Sequence, residues 1–318
     1  MAWPANTAHT GHDRDPTLCG IKYTAVDKSR VMRFEMPAIS FYVSLMTQHP
    51  NLVDRNALTQ ARRRTDPARG YFLHDMAIHD VQDRLAFVNK SFTDVTIVTG
   101  HPDPWRAAFP DARIVTDADV LDIPQASCNL VIHAMALHWA NDPVGQLIQC
   151  RLGLRNDGLF IAVFLGGDTL SQLRAALAEA ESQLRGGLSP RVLPMGEIRD
   201  AGGLLQRAGY ALPVADSAVI NTSYTDLINL MQDLRAMGET NAMTARTRHF
   251  TPRGLFARAQ DIYAQSFSDD QGRILASFEQ IMLTGWAPDD SQPKPLRPGS
   301  AKMRLADALR VPEIPLKE

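Results

Sequence analysis

"DVTIVTGHPDPW", residues 94–105, decides how this chain is read. Val95 to Val98 is a short β-branched run, Gly100 ends it, and His101, Pro102, Asp103 and Pro104 lead into a helix start. A strand that passes through glycine into a helix is where many α/β proteins hold a nucleotide-type ligand, because glycine lets the backbone come close to it. Here one glycine is present, and proline offers no amide donor and fixes φ. Gly100 therefore reads either as the remnant of such a turn or as an ordinary strand-ending residue.

On both sides of this stretch the chain alternates apolar runs with helical periodicity. Leu73, Met76, Ala77, Val81, Leu85 and Val88 share one face of a helix expected over 72–89. Arg113 to Thr116 and Leu130 to Met135 are further strand-like runs. In "ANDP", Asp142 is placed to cap and Pro143 to take the first position of a helix with Val144, Leu147, Ile148 and Leu152 on one side. Asn156-Asp157-Gly158 signals a turn, and "LFIAVFL" after it has the unbroken apolar character of a strand buried on both faces. Thr169 and Gln172 have capping-box spacing before a helix over 170–184. "AGGLLQRAGY" predicts a helix ending at Gly209, Ala218 to Thr222 a strand, and 275–284 a last strand. Between those two strands, 225–268 reads as two helices opened by Thr225 and by Thr251-Pro252. Apolar runs such as these, buried on both faces and joined by helices, predict an α/β fold with a parallel sheet covered by helices.

With 318 residues and 45% hydrophobic content the chain can bury a full core. A net charge of −2 gives no electrostatic case for nucleic acid or an anionic membrane surface, and Arg62, Arg63 and Arg64 read as a solvated helix face. Cys19, Cys128 and Cys150 lie far apart without a CxxC pair, so neither a disulfide framework nor a zinc site is expected. "MPAISFYVSLM" is too short to span a bilayer and lacks a signal-peptide layout, which leads to the expectation of a cytoplasmic protein. Residues 1–45 lack periodicity and read as a poorly ordered extension, with Met46 the expected biological start. The folded domain is expected over 46–286, with a helical insertion at 225–270, and 287–318 as an irregular, proline-rich tail.

At residue level, "LVDRNAL", "ALHWANDP", "GLFIAVFLGGDTLSQLR", "GGLSPRV", "GGLLQRAGY", "LMQDLRAMGETN", "TGWAP" and "PGSA" carry a family likeness over about residues 50–305. They resemble the methyltransferase-like assembly factors of respiratory complex I and their bacterial relatives. That group is similar in turn to the malonyl-acyl-carrier-protein methyltransferases of biotin synthesis. The resemblance implies a Rossmann-like, class-I methyltransferase sheet, S-adenosylmethionine as cofactor, and a complex I subunit or other protein as partner, with a small-molecule ligand as a further option. In some members it implies hydroxylation of an arginine on a complex I subunit.

Two departures stand out against that family. Its first turn resembles a carboxylate followed by three glycines at alternate positions, where this chain has Gly100 and then His-Pro-Asp-Pro. The interval from Gly100 to Asn129 is 29 residues. A complete methyltransferase fits helix A, strand 2, helix B and strand 3 there, yet one βαβ unit takes about 30 residues. The sheet is therefore expected to be abbreviated near strand 2, losing with it the acidic residue that grips the cofactor ribose. Asp117 and Asp119, in "VTDADVLDIP", align with the later loop that flanks adenine, or are surface acids.

The resemblance places Gly100, Asp117, Asp119, His138 and Trp139 at the cofactor pocket, the last two at the carboxyl end of a strand, where open parallel sheets bind ligands. Trp139 packing on the sheet and His138 bonding to backbone is the alternative. Gly166, Gly167 and Asp168 end the next strand and are candidates for substrate or partner contact, with Asp168 capping a helix as the other reading. Glu239 and Asn241 lie in the insertion, where relatives build substrate lids, and helix termination after Gly238 also accounts for Asn241. His74 and His79 are about 140° apart around a helix and cannot share one ion. No metal site and no catalytic base is assigned. Losing two backbone contacts and the ribose carboxylate removes about 3 to 5 kcal/mol, enough to turn micromolar into roughly millimolar affinity. The expected function is thus a methyltransferase-family protein with a degenerate cofactor site, a pseudoenzyme acting as a binding or assembly factor. The competing expectation is an active O- or N-directed methyltransferase with a rearranged cofactor loop.

Overall fold

The computed structural model describes residues 51–293, 299–300 and 303–312. The expectations for residues 1–45 and for Met46 lie outside the described residues. The elements that position the site are α1 (Arg55–Arg62), α2 (Phe72–Phe87), β1 (Val95–Thr99), α3 (Pro102–Ala108), β2 (Arg113–Val115), β3 (Cys128–Ala134), α4 (Pro143–Gly153), β4 (Leu154–Gly166), α5 (Ser171–Arg185), α6 (Ile198–Arg207), β5 (Ala211–Tyr224), α7 (Leu227–Ala236), α8 (Arg253–Ser266) and β6 (Ile274–Trp286).

The six strands form one sheet in the order β2-β1-β3-β4-β6-β5. β2, β1, β3 and β4 run parallel, and β6 lies antiparallel between β4 and β5. Alternation along the central strands sends successive side chains to opposite faces. In β4, Leu159, Ile161 and Val163 join one core with Leu73 and Ala77 of α2, Leu173 and Ala176 of α5 and Tyr263 of α8. Phe160, Ala162 and Phe164 join the other, with Leu147 of α4 and Leu205 of α6. Each of these fully buried large side chains contributes about 1.5 to 3 kcal/mol, so β4, buried on both faces as its apolar run predicts, is the energetic spine of the fold.

One strand, not two, flanks β1 on the β2 side, in agreement with the single crossover that the 100–129 interval allows. An acidic residue nevertheless stands at this edge. Asp117 follows β2 by two residues at its carboxyl edge and is buried. A short chain brought the loop acid to the sheet by pairing Arg113–Val115 directly with β1.

Local differences from the sequence reading have physical causes. The turn signal Asn156-Asp157-Gly158 does not separate helix from strand: α4 ends at Gly153, β4 begins at Leu154, and the turn residues form an irregularity in its pairing with β3, with Asp157 at φ +56°. Lys90 holds that bulge by donating to the Asp157 carbonyl and carboxylate, each at 2.6 Å. Thr169 and Gln172 build no capping box. The Thr169 hydroxyl donates to the Gly166 carbonyl at 2.7 Å, and Gln172 donates to Ser277 Oγ at 2.8 Å, so both tie the start of α5 to neighbouring strands. α7 is capped by Asp226, whose carboxylate accepts from the Asn229 amide at 2.8 Å, rather than by Thr225. β5 is far longer than 218–222 because, on the sheet edge, its polar side chains stay half-exposed and leave little apolar signal. The helical insertion is α7 and α8, between β5 and β6.

Candidate functional site

Strand order reverses direction between β1 and β3, and the crevice at their carboxyl ends is where an open α/β sheet receives ligands. Gly100 and His101 leave β1 there, and Met135 to Trp139 leave β3. Pro102 takes the first position of α3, so its missing amide is one the helix would not have used. His101 turns inward, and its amide donates to Thr99 Oγ1 at 3.1 Å. Its ring packs edge-on to His74, whose Nδ1 accepts from Trp105 Nε1 at 3.0 Å. Burial, and next the proximity of Arg62, lowers the His101 pKa to about 4; burial, and next His101 itself, lowers that of His74 to about 3. Both rings are neutral at pH 7.

The space above Gly100 is filled by Arg62. A β-carbon on residue 100 would lie 2.0 Å from Arg62 Cζ and 2.2 Å from its Nη1. That Nη1 donates to Asp117 Oδ1 at 2.7 Å, while Arg55 Nη1 reaches Asp117 Oδ2 at 3.3 Å and Arg55 Nη2 donates to the Asp117 carbonyl. Burial alone would raise the Asp117 carboxyl; the two guanidiniums outweigh it and hold the acid below the usual carboxylate range. Arg63 and Arg64 are the solvated face that the basic run predicts, but Arg62 is turned into the protein, its side chain 11% exposed. Asp119 is exposed at the rim of the open cleft that Arg55, Arg62, Arg63, Gly100 and Asp117 line.

A second cavity, of about 220 Å³, lies beneath the insertion at the carboxyl end of β4. Leu165, Leu173, Met195, Met231 and Phe278 make its walls apolar, and Glu239 and Trp139 bring polar groups to it. Trp139 Nε1 donates to Glu239 Oε2 at 2.8 Å, and His138 Nε2 stands 3.3 Å from the same oxygen. The network assigns the tautomer: Nδ1 of His138 accepts from the Leu165 amide at 3.4 Å, so Nε2 carries the hydrogen and donates to Glu239. Burial would raise the Glu239 carboxyl, but His138, then His101 and Arg62, lower it to about 2. Glu239 is a buried carboxylate at neutral pH.

The expected site residues thus divide. Gly100 and Asp117 meet at one cleft, with Asp119 at its rim; His138 and Trp139 meet Glu239 at the other. Asn241 lines the second cavity and donates to the Pro190 carbonyl at 2.9 Å, while its side-chain oxygen accepts from the Met243 amide. Gly166, Gly167 and Asp168 do not line it. A β-carbon on Gly167, at φ +46°, would lie 1.8 Å from Glu279 Oε2, and Gly166 is pressed against Ile281; both glycines serve close packing. The exposed Asp168 is neither at the cavity nor a side-chain cap; its amide donates to Glu279. Sequence reading missed Arg55, Arg62 and His101. Arg55 stands inside a family-like block, and an arginine seven residues later recurs on the same helix face, a signal that was available. Among the described residues no group of three or more His, Cys, Asp or Glu is placed to hold a metal ion, and His79 is exposed while His74 is buried.

The chain is 35% identical over 203 residues to the mitochondrial arginine-hydroxylase NDUFAF5 of Rattus norvegicus, covering 64% of this chain and 59% of that one. It is 39% identical over 186 residues to the NDUFAF5 of Dictyostelium discoideum, covering 58% and 42%. With the malonyl-[acyl-carrier protein] O-methyltransferase of Xylella fastidiosa it shares 32% identity over 179 residues, 56% of this chain and 58% of the other. The chain is an open α/β sheet protein similar in sequence to these NDUFAF5 arginine-hydroxylases and malonyl-[acyl-carrier protein] O-methyltransferases. The chain spans roughly two fifths to three fifths of the length of the curated relatives it matches. Solved structures similar to it include the YcgJ protein of Bacillus subtilis, at TM-score 0.43 and 10% identity over 67% of this chain and 99% of that one. The phosphoethanolamine N-methyltransferase 2 of Haemonchus contortus matches at TM-score 0.37 and 10% identity, covering 67% and 52%. No protein-family model matches the chain. Among its described residues no helix is long and apolar enough to cross a membrane.

Proposed function

We propose that this methyltransferase-like protein works without S-adenosylmethionine, as a binding or assembly factor in the biogenesis of respiratory complex I. The observation that carries this reading is the Arg62 guanidinium on Gly100, paired with Asp117. In that arrangement the residues do not fit an adenosyl ligand. Its methionine end would need the space above Gly100, its ribose would need an acid whose two oxygens face Arg62 and Arg55, and Pro102 supplies no amide. Each lost charge-assisted contact costs about 1.5 to 3 kcal/mol of binding.

The partner surface in this reading is the cavity at Glu239. A buried carboxylate that accepts from His138 and Trp139 accommodates a cation, and apolar walls accommodate an aliphatic stem. A long basic side chain of a partner protein meets both requirements, in keeping with the arginine that the relatives' name specifies. Trp139, Glu239 and Asn241, which line the cavity, are its contacts in this proposal, with His138 supporting Glu239 from behind.

The test is calorimetric titration with S-adenosylmethionine, which should give no binding below about 100 μM. Micromolar affinity at 1:1 stoichiometry would instead establish the second reading, an O- or N-directed methyltransferase, for which the likeness to malonyl-[acyl-carrier protein] O-methyltransferases speaks. Methyl transfer rests mainly on alignment, so that reading needs no general base. For the assembly role, the protein should co-purify with a complex I subunit and its deletion should lower complex I activity; an unchanged level contradicts it.

A further inference from the structure

We infer that the open cleft beside Gly100 is a binding site for a small, multiply charged oxyanion, a phosphate ester or a polycarboxylate, held by Arg55, Arg62 and Arg63. The cleft is about 550 Å³, and three guanidiniums face two carboxylates across it, Asp117 and Asp119. A guanidinium carries five N–H donors in a planar fork suited to oxyanions. Asp117 engages Arg62 through Nη1 alone, and Arg62 Nε and Nη2 are buried without a partner. Arg63 has no side-chain hydrogen bond or ion pair among the described residues, although it lines the same cleft.

Two further buried polar atoms lack partners beside Arg62: Thr65 Oγ1 and His101 Nε2. They converge from opposite elements on Gly238, where a β-carbon would lie 2.8 Å from Thr65 Oγ1, 3.1 Å from His101 Cε1 and 3.2 Å from Arg62 Cα. Desolvated donors on a charged group are costly when unbonded. Arg62 in its place over Gly100 is therefore a cation with donor capacity in excess of what Asp117 can take. An oxyanion entering past the exposed Asp119 meets Arg55 and Arg63 at the mouth of the cleft and, with Arg62 in place over Gly100, adds acceptor atoms to the N–H groups that Asp117 leaves unused.

This site does not depend on the assembly role, and the test keeps them apart. The full chain is titrated calorimetrically with inorganic pyrophosphate and, separately, with citrate, at constant ionic strength set by sodium chloride. One saturable site with Kd below about 1 mM is expected for at least one probe. Preference for pyrophosphate assigns a phosphate ester as the natural ligand, and preference for citrate a polycarboxylate. Arg63→Gln, at an exposed position, should weaken binding about tenfold while leaving the unfolding midpoint in place, and Arg62→Gln should abolish it. Asp117→Asn, which removes the competing carboxylate, should tighten it. Absence of saturable heat with both probes up to about 20 mM, or equal binding by wild type and Arg63→Gln, overturns the inference as an adventitious ion only. Micromolar binding of S-adenosylmethionine would overturn the proposed function and leave this result standing or falling on its own.

Discussion

Arg62 and Gly100 occupy one space: the guanidinium lies where any side chain at residue 100 would begin, 2.0 Å from the β-carbon position. That contact links the helix before the sheet to the first strand turn, and it makes residue 100 a position where the smallest addition has a charged consequence.

Gly100→Ala should push Arg62 off Asp117 without unfolding the chain, because the obstructing atoms are the mobile end of a long side chain. Losing that buried pair costs about 1 to 3 kcal/mol in urea denaturation. In a double-mutant cycle with Arg62→Met the two effects should be strongly non-additive, since either change breaks the same bond. Additive free energies would show that Arg62 and Gly100 are independent.

Glu239 accepts from both Trp139 and His138 in a buried setting. Glu239→Ala strands two donors and should destabilise the fold by about 2 to 4 kcal/mol, whereas Glu239→Gln keeps an acceptor and should cost about 1. Both variants should lose capture of a basic peptide by the intact protein. Retained capture by Glu239→Gln would place the partner contact elsewhere.

Acid should weaken the protein early. His74, His101 and His133 have pKa values lowered from 6.5 to about 3, 4 and 4, in each case by burial first. The folded state therefore binds fewer protons than the unfolded one between these limits. Stability from the neutral rings is present above pH 6.5 and is lost as pH falls toward 4, on the order of several kcal/mol for the three. Glu239, lowered to about 2 from 4.5, adds a loss in the same direction at still lower pH. The urea midpoint should fall steeply from pH 6.5 to 4, and His133→Asn should flatten the slope; a level profile over that range refutes the assignment.

Gly238 ends α7 at φ +78° against Thr65 and His101. Gly238→Ala meets both a left-handed backbone and a 2.8 Å contact with Thr65 Oγ1, and should cost about 1 to 2 kcal/mol. Thermal unfolding measures it. Gly203→Ala, where nothing lies within 4 Å in a helix, should be neutral or stabilising by comparison.

The sheet was legible because its signals are local and strong: "LFIAVFL" is apolar at every position only if both faces are covered, and Asp142-Pro143 opens α4 as a cap followed by a first-turn proline. The 29-residue interval after Gly100 likewise restricted the sheet to one strand beyond β1, since chain length limits how many crossovers fit. The full length of β5 and the bulge in β4 were not legible. An edge strand buries little, and a turn signal can be absorbed as an irregularity when strands on both sides pair through it.

From residues alone came the order of elements and the place of His138 and Trp139 after a strand, which follow from periodicity along the chain; the reduced first half of the sheet came from setting the 29-residue interval against the pattern that the family resemblance implies. Which charges face one another came only with packing. Arg62 was one of three consecutive arginines until α1 turned it onto Gly100 and Asp117, and Glu239 was a loop acid until α7 ended beside Trp139. An ion pair between residues 55 positions apart and a hydrogen bond between residues 100 apart carry no local periodicity, so the fold, by bringing distant segments into one low-dielectric space, is what selected them.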